Sequence, residues 1–316
     1  TVILLPMLLC VCLTLCSCGS NESAEKPSAA SSDTVAKDSS SSTTAAAGSR
    51  DNTPVVLTGS ADGTVTYGND SVTVDASHTE EGYLMVSYSG SNSKVKLQIT
   101  GSDEITYTYN LHDGYETFPL TSGSGSYTVG VFENIEGTSY STLFTQAIDV
   151  TIQDEFGPYL YANQYVNFSA DSKVISKAME LSASANDDLE VIENVYNYII
   201  TNFTYDYDKA ASVQSGYLPD VDKVFTENTG ICFDYAAVMA TMLRTQAIPT
   251  RLEVGYAGEE YHAWISTYIK DKGWINGIIE FDGTSWNMLD PTFASTSDSP
   301  KKFIAQKNDY ITKYVY

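Results

Sequence analysis

Thr229-Gly230-Ile231-Cys232-Phe233-Asp234-Tyr235-Ala236, running on through Met239, Met242, Leu243 and Arg244, is the stretch from which the rest of this chain is best read. Ala236, Met239, Met242 and Leu243 recur at helical spacing, which predicts a helix beginning near Cys232 with those four residues on one face. Pro249 prevents its continuation. Cys232 therefore stands at a helix N-terminus, where the first N–H groups lack intrahelical acceptors and the dipole is positive. Both features stabilise a thiolate, and the same N–H groups can hold the oxyanion of a tetrahedral intermediate.

Working outward, Leu189, Ile192, Val195, Ile199 and Phe203 mark an earlier amphipathic helix, with Asp187 and Glu190 suited to its first turn. Beyond Pro249, short strands are expected over 251–256, 262–270, 277–281 and 285–289, with Asp282-Gly283 as a hairpin turn between the last two. Helices followed by antiparallel strands make residues 154–316 an α+β domain. His262-Ala263-Trp264 heads one of those strands and Asp290-Pro291-Thr292 ends another. A thiolate nucleophile needs a proton donor for the leaving amine, and that donor needs an acceptor to fix its ring and tautomer. Cys232, His262 and Asp290 can meet these needs in that order. Asp282 and Asp271 compete for the third place, although Asp282 is better spent on the turn. Taken singly, each residue has a plainer reading: a buried small hydrophobe, a satisfied polar ring, a turn former before proline.

These residues resemble the transglutaminase-like superfamily, in particular bacterial secreted members with a single such core. The matching elements are Gly230 to Ala236, Met242-Leu243-Arg244 with Ile248-Pro249-Thr250-Arg251, Val254-Gly255-Tyr256, His262-Ala263-Trp264, and Trp286 leading to Asp290-Pro291-Thr292. They occur in family order from Asp187 to Phe293. The resemblance implies a papain-like, cysteine-protease type of α+β core whose Cys-His-Asp triad attacks carboxamides or peptide bonds through a thioester. It places Cys232 as nucleophile, His262 as general acid/base and Asp290 as the partner that orients the histidine. Tyr205 and Tyr207, in Thr204-Tyr205-Asp206-Tyr207-Asp208, resemble a family element near the thiol. Either hydroxyl could add an oxyanion donor, against the equally good reading of a half-buried packing aromatic. Trp264 and Trp286 are expected to be wall and core.

Residues 53–153 read differently. Val95, Leu97 and Ile99 alternate with Lys96, Gln98 and Thr100, and similar period-two runs recur between Gly-, Asn-, Asp- and Ser-rich turns. This predicts an all-β, immunoglobulin-like sandwich ahead of the catalytic domain. It shows no catalytic cluster, and His78 and His112 are expected to be solvated.

At the other end, Thr1 to Leu15 is almost wholly apolar and gives way to Cys16-Ser17-Cys18-Gly19-Ser20, the pattern of an export signal and too short for a comfortable membrane span. Leu15-Cys16-Ser17-Cys18 resembles a bacterial lipobox, which implies cleavage before Cys18 and lipid attachment to it; residues 1–18 are then a signal peptide. No initiator Met or basic segment precedes Thr1, so a few N-terminal residues are expected to be missing. Residues 19–52, dominated by Ser, Ala and Thr, are expected to be a flexible tether.

Composition narrows the function further. Four of the five cysteines lie before residue 19, so no disulfide framework is available to the body of the chain. A net charge of -23 speaks against a nucleic-acid partner, which needs a positive footprint. No serine-hydrolase elbow, zinc spacing, phosphate loop or calcium loop occurs, and neither metal nor cofactor is expected. The sequence thus reads as a lipid-anchored thiol enzyme on the outer face of the bacterial cytoplasmic membrane, acting on protein or peptide substrates at the cell surface, as a peptidase or as a transamidase. The alternative is a non-catalytic scaffold or binding module on the same fold. Whether the β-rich region binds cell wall or only spaces the core from the membrane stays open.

Overall fold

The alternation in the first half of the chain becomes sheet. The computed structural model describes residues 47–257, 259–276, 278–281, 286–289 and 310–316. Eight strands come first: β1 (Thr66–Gly68), β2 (Val72–Asp75), β3 (Tyr83–Tyr88), β4 (Val95–Thr100), β5 (Thr106–Leu111), β6 (Gly114–Pro119), β7 (Gly125–Glu136) and β8 (Ser139–Val150). They form two four-stranded sheets, ordered β1-β2-β3-β6 and β5-β4-β7-β8, and every neighbouring pair is antiparallel. In β4, Val95, Leu97 and Ile99 are buried while Lys96, Gln98 and Thr100 stay half-exposed, so one face meets the core and the other looks away from it. The Tyr109 and Phe118 rings, one from each sheet, meet edge to face at 4.8 Å.

Helices then dominate: α1 (Val174–Ser182), α2 (Asp188–Asn202), the short strand β9 (Thr204–Tyr205), α3 (Tyr207–Ser212), α4 (Val221–Glu227), β10 (Thr229–Gly230) and α5 (Cys232–Arg244). Asp187 is the N-cap of α2, and its carboxylate accepts from the N–H groups of Leu189 and Glu190. The last part is β11 (Thr250–Ala257), β12 (Glu260–Ile269), β13 (Gly273–Asn276), β14 (Ile278–Phe281), β15 (Trp286–Leu289) and β16 (Tyr310–Val315). Their order is β13-β12-β11-β16 in one antiparallel sheet, with β14 and β15 as a separate antiparallel pair. The Asp282-Gly283 turn lies outside the described residues. Helices α1, α3 and α4 and strands β13 and β16 were not anticipated from the sequence, because each is short or lacks a sustained period.

The one-face expectation for α5 is corrected. Every residue from Asp234 to Arg244 is buried, because α1, α2, α4, β11 and β12 all pack against the helix. A helix enclosed in this way tolerates a polar residue only with its partners supplied. Arg244 shows how: its guanidinium donates to the carbonyls of Thr250, Tyr161 and Tyr316 at 2.7 to 3.0 Å. Burial pushes it down to about 9, which leaves it charged at neutral pH.

The sheets and the helical core share one apolar cluster and form one compact unit. Aromatic rings join them: Tyr316 packs against Tyr165 at 4.3 Å and Tyr107 at 5.6 Å. The end of the Ser/Ala/Thr-rich segment is held rather than free. Arg50 Nε bonds Asp188 at 2.7 Å, and Gly48 N–H donates to Ala183 O. His78, expected to be solvated, is half-buried and bonds Asp62 and Glu81, whereas His112 is largely exposed beside Glu116.

Candidate active site

Two residues before Cys232 the chain must pass close to a carboxylate. A Cβ on Gly230 would lie 2.6 Å from Asp234 Cβ, so only glycine lets the backbone come that near. The approach places Asp234 Oδ2 2.9 Å from the Ile231 N–H, capping the start of α5 from the third helical position. Asp234 is fully buried and accepts two more bonds, from Lys209 Nζ at 2.6 Å and from the Tyr217 hydroxyl at 2.5 Å. Burial, then the Asp234 carboxylate, push the Tyr217 phenol far above its ordinary range, so it stays protonated and donates. Lys209 Nζ also bonds the Tyr217 hydroxyl at 2.6 Å and sits 4.4 Å from its ring centre. Ile231, the residue before Cys232, is thereby held by a network of one ion pair and several hydrogen bonds.

Tyr205 reaches the same place through backbone pairing. β9 and β10 pair in parallel with Tyr205 opposite Gly230, and Asp206 N–H donates to Gly230 O at 2.8 Å. The Tyr205 ring stands between Tyr207 and Tyr235, at 5.0 and 6.3 Å. Tyr207 itself is 66% exposed, which separates the two tyrosines that sequence alone left equivalent.

His262 comes from β12, opposite Gly255 of β11, and is buried. A Cβ on Gly255 would lie 2.0 Å from Ile311 O, so this glycine lets β16 close against the strand that faces the histidine. His262 and Trp264, two apart on one face, stack with ring centres 6.4 Å apart. Opposite Trp264 on β11, Glu253, also buried, accepts from Ser266 Oγ at 2.5 Å and Thr312 Oγ1 at 2.7 Å.

Cys232 and His262 line one cavity of about 550 Å³, together with Tyr205, Tyr217, Phe233 and Tyr165. Cys232 is a free thiol, half-buried at the cavity wall. Asp290 and Cys18 lie outside the described residues. No group of three or more His, Cys, Asp or Glu side chains placed to hold a metal occurs among the described residues.

Residues 175–277, which include both Cys232 and His262, fit the model of the transglutaminase-like superfamily. This segment is a transglutaminase-like core. Among curated sequences the chain is 22% identical over 148 residues to the uncharacterized protein YebA of Bacillus subtilis, covering 40% of this chain and 20% of that one. It is 29% identical over 106 residues to a UPF0252 protein of Methanocaldococcus jannaschii, covering 29% of this chain and 30% of that one. The chain therefore spans less than a third of the length of either relative. Among solved structures, a candidate cysteine protease from Cytophaga hutchinsonii is similar with TM-score 0.38 and 18% identity, covering 80% of this chain and 78% of that one. The red sea bream transglutaminase gives a TM-score of 0.28 and 15% identity, covering 68% and 48%.

The transglutaminase-like core contains site residues that sequence reasoning did not assign. Lys209 and Tyr217 meet Asp234 across 25 and 17 positions. The one local signal was Asp234 itself, an acid at the third position of a helix, where a capping carboxylate is expected. Lys96, Thr108 and Asn110 of β4 and β5 also line the cavity, more than 120 residues from Cys232, and no sequence pattern announces that.

Proposed function

We propose that this chain is a cell-surface thiol enzyme acting on protein or peptide amide bonds through a thioester on Cys232. The observation that carries the reading is the shared cavity of Cys232, on the first residue of α5, and His262 on β12. In the reaction, Cys232 Sγ forms a bond to the amide carbonyl carbon. The oxyanion is held by N–H groups at the start of α5, with the Tyr205 hydroxyl as a further donor. As the C–N bond breaks, protonated His262 gives its proton to the leaving amine or ammonia, and the acyl group remains on sulfur. Water or a lysine-type amine then attacks the thioester while His262 takes up its proton, and Cys232 is released. Asp290 fixes the imidazole tautomer in this scheme.

Around the core, the strand orders β2-β3-β6 and β5-β4-β7-β8 support an immunoglobulin-like sandwich for residues 53–153, as does the antiparallel pairing throughout. The apolar run before Cys18 supports export and lipid attachment there. No helix among the described residues is long and apolar enough to cross a membrane.

The deciding experiment incubates the protein with casein, with and without a labelled primary amine, and follows label incorporation, ammonia and new peptide ends. Wild type is expected to give one of these products and Cys232→Ala none, with Cys232→Ala melting within a few degrees of wild type. Product from Cys232→Ala at the wild-type rate would overturn the enzymatic reading. For the anchor, Cys18→Ala should leave the detergent phase that holds wild type; equal partitioning would refute lipid attachment.

A further inference from the structure

Part of the wall of the cavity that holds the thiol is built by another part of the chain. On β4 and β5, Lys96 stands opposite Asn110, so both side chains share the face that looks away from the sandwich core. Lys96, Thr108 and Asn110 line the cavity that holds Cys232 and His262. Two contacts fix this wall against the core. A Cβ on Gly216 would lie 2.4 Å from Asn110 Nδ2, so the segment after α3 runs directly against β5. Gln164 Nε2 donates to Asn110 O at 2.7 Å.

The charge of that wall is opposite to the charge of the molecule. The chain carries 40 acidic residues against 17 basic ones, yet among the described residues no Asp or Glu lines the cavity. Two carboxylates bonded to lining residues are already engaged: Asp234 by Lys209, Tyr217 and a backbone N–H, and Glu116 by Gln164 Nε2 and by His112. Lys96 is the one lysine or arginine on the lining among the described residues. Its ammonium touches Asn110 Oδ1 at 3.4 Å and lies 5.6 Å from the Tyr140 ring centre. Among the described residues it has no carboxylate partner, unlike Lys177 and Lys209. A half-buried cation without a counterion, in a chain with a large acidic surplus, is supplied with one when an anion enters the cleft.

We propose that Lys96 is a specificity residue of the thiol site, favouring substrates that bear a carboxylate close to the amide attacked by Cys232 and disfavouring cationic ones. Thr108 and the Asn110 side chain supply neutral hydrogen-bonding groups beside it, suited to the backbone of a peptide. The proposal deepens the thiol-enzyme reading and rests on it, so its test separates the two.

The probes are iodoacetate and iodoacetamide, which each alkylate the thiolate with loss of iodide and differ in charge. Modification of Cys232 in the full chain is followed by peptide mass spectrometry, so the other cysteines do not interfere. In wild type the iodoacetate-to-iodoacetamide rate ratio is expected to exceed that of Lys96→Gln by roughly three- to tenfold, the size of one unit charge across a partly hydrated cleft. Lys96→Glu should lower the ratio further, Lys96→Arg should keep it, and 0.5 M salt should shrink the wild-type advantage. Lys94→Gln, two positions away on an exposed residue, should leave the ratio unchanged. An unchanged ratio in Lys96→Gln and Lys96→Glu with normal iodoacetamide reactivity would overturn the proposal, as would an equal fall in Lys94→Gln. An iodoacetamide rate in wild type no faster than that of a free cysteine would instead count against the thiol-enzyme reading, while the ratio would still report on Lys96.

Discussion

Asp234→Asn is the substitution that probes the site's foundation. It is nearly isosteric, so packing is conserved and the charge alone is removed. In the native chain the carboxylate is fully buried and accepts from Ile231 N–H at 2.9 Å, Lys209 Nζ at 2.6 Å and Tyr217 Oη at 2.5 Å. An asparagine offers one oxygen for these three donors, and its amide group must face a donor wherever it turns. Breaking a buried pair by removing one partner costs about 3 to 5 kcal/mol. The Lys209 side chain is 26% exposed and can recover some hydration, which brings the expected loss to about 2 to 4 kcal/mol. Urea unfolding with unchanged m-value measures it. Lys209→Met in the Asp234→Asn background should be less destabilising than the two single losses added together, since it removes the uncompensated charge. Because the same carboxylate holds the residue before Cys232, alkylation of Cys232 should slow in parallel. A loss below about 1 kcal/mol with Cys232 reactivity intact would refute the claim that this network positions the thiol.

Arg244→Lys should cost about 2 to 4 kcal/mol in the same unfolding assay, because one ammonium cannot reach the three carbonyls that the guanidinium serves; a loss near zero would mean that water replaces it. Asp290→Asn should lower kcat steeply with modest change in KM, whereas Asp282→Asn should cost about 1 kcal/mol of stability or less and leave kcat intact; the reverse pattern would reassign the third catalytic residue. At His78, burial lowers the ring's affinity for a proton, but hydrogen bonds and charge from Glu81 and Asp62 outweigh it and raise the ring above 6.5. The raised value makes this contribution fully present below pH 6.5 and lost as pH rises through the folded-state value. His78→Gln should therefore cost more at pH 5.5 than at pH 8.5, by less than about 1 kcal/mol because Asp62 and Glu81 are solvent-screened. Equal costs at both pH values would show that the ion pairs add nothing.

Much of the chain's architecture is legible in consecutive residues, because periodicity is a local property. The alternation of Val95, Leu97 and Ile99 becomes β4, and the spacing from Leu189 to Ile199 becomes α2 with Asp187 as its cap. The start of α5 at Cys232 and the strand carrying His262 are readable in the same way, and the two residues share one cavity. What could not be read is what surrounds each element. The residues from Asp234 to Arg244 are buried on every side because three helices and two strands enclose α5, a fact of topology that a one-face pattern of apolar residues does not encode. β16 joins the far edge of the sheet, and Tyr316 enters the core 64 residues after its partner Leu252. Lys209 and Tyr217 find Asp234, and Lys96 finds the cleft of Cys232, only once the chain has folded back over tens to more than a hundred positions. Sequence by itself singled out the candidate residues for chemistry and, for Cys232 and His262, the kind of element each sits on. Tertiary structure decided which charges face them, because an electrostatic environment depends on distance through space and not on separation along the chain.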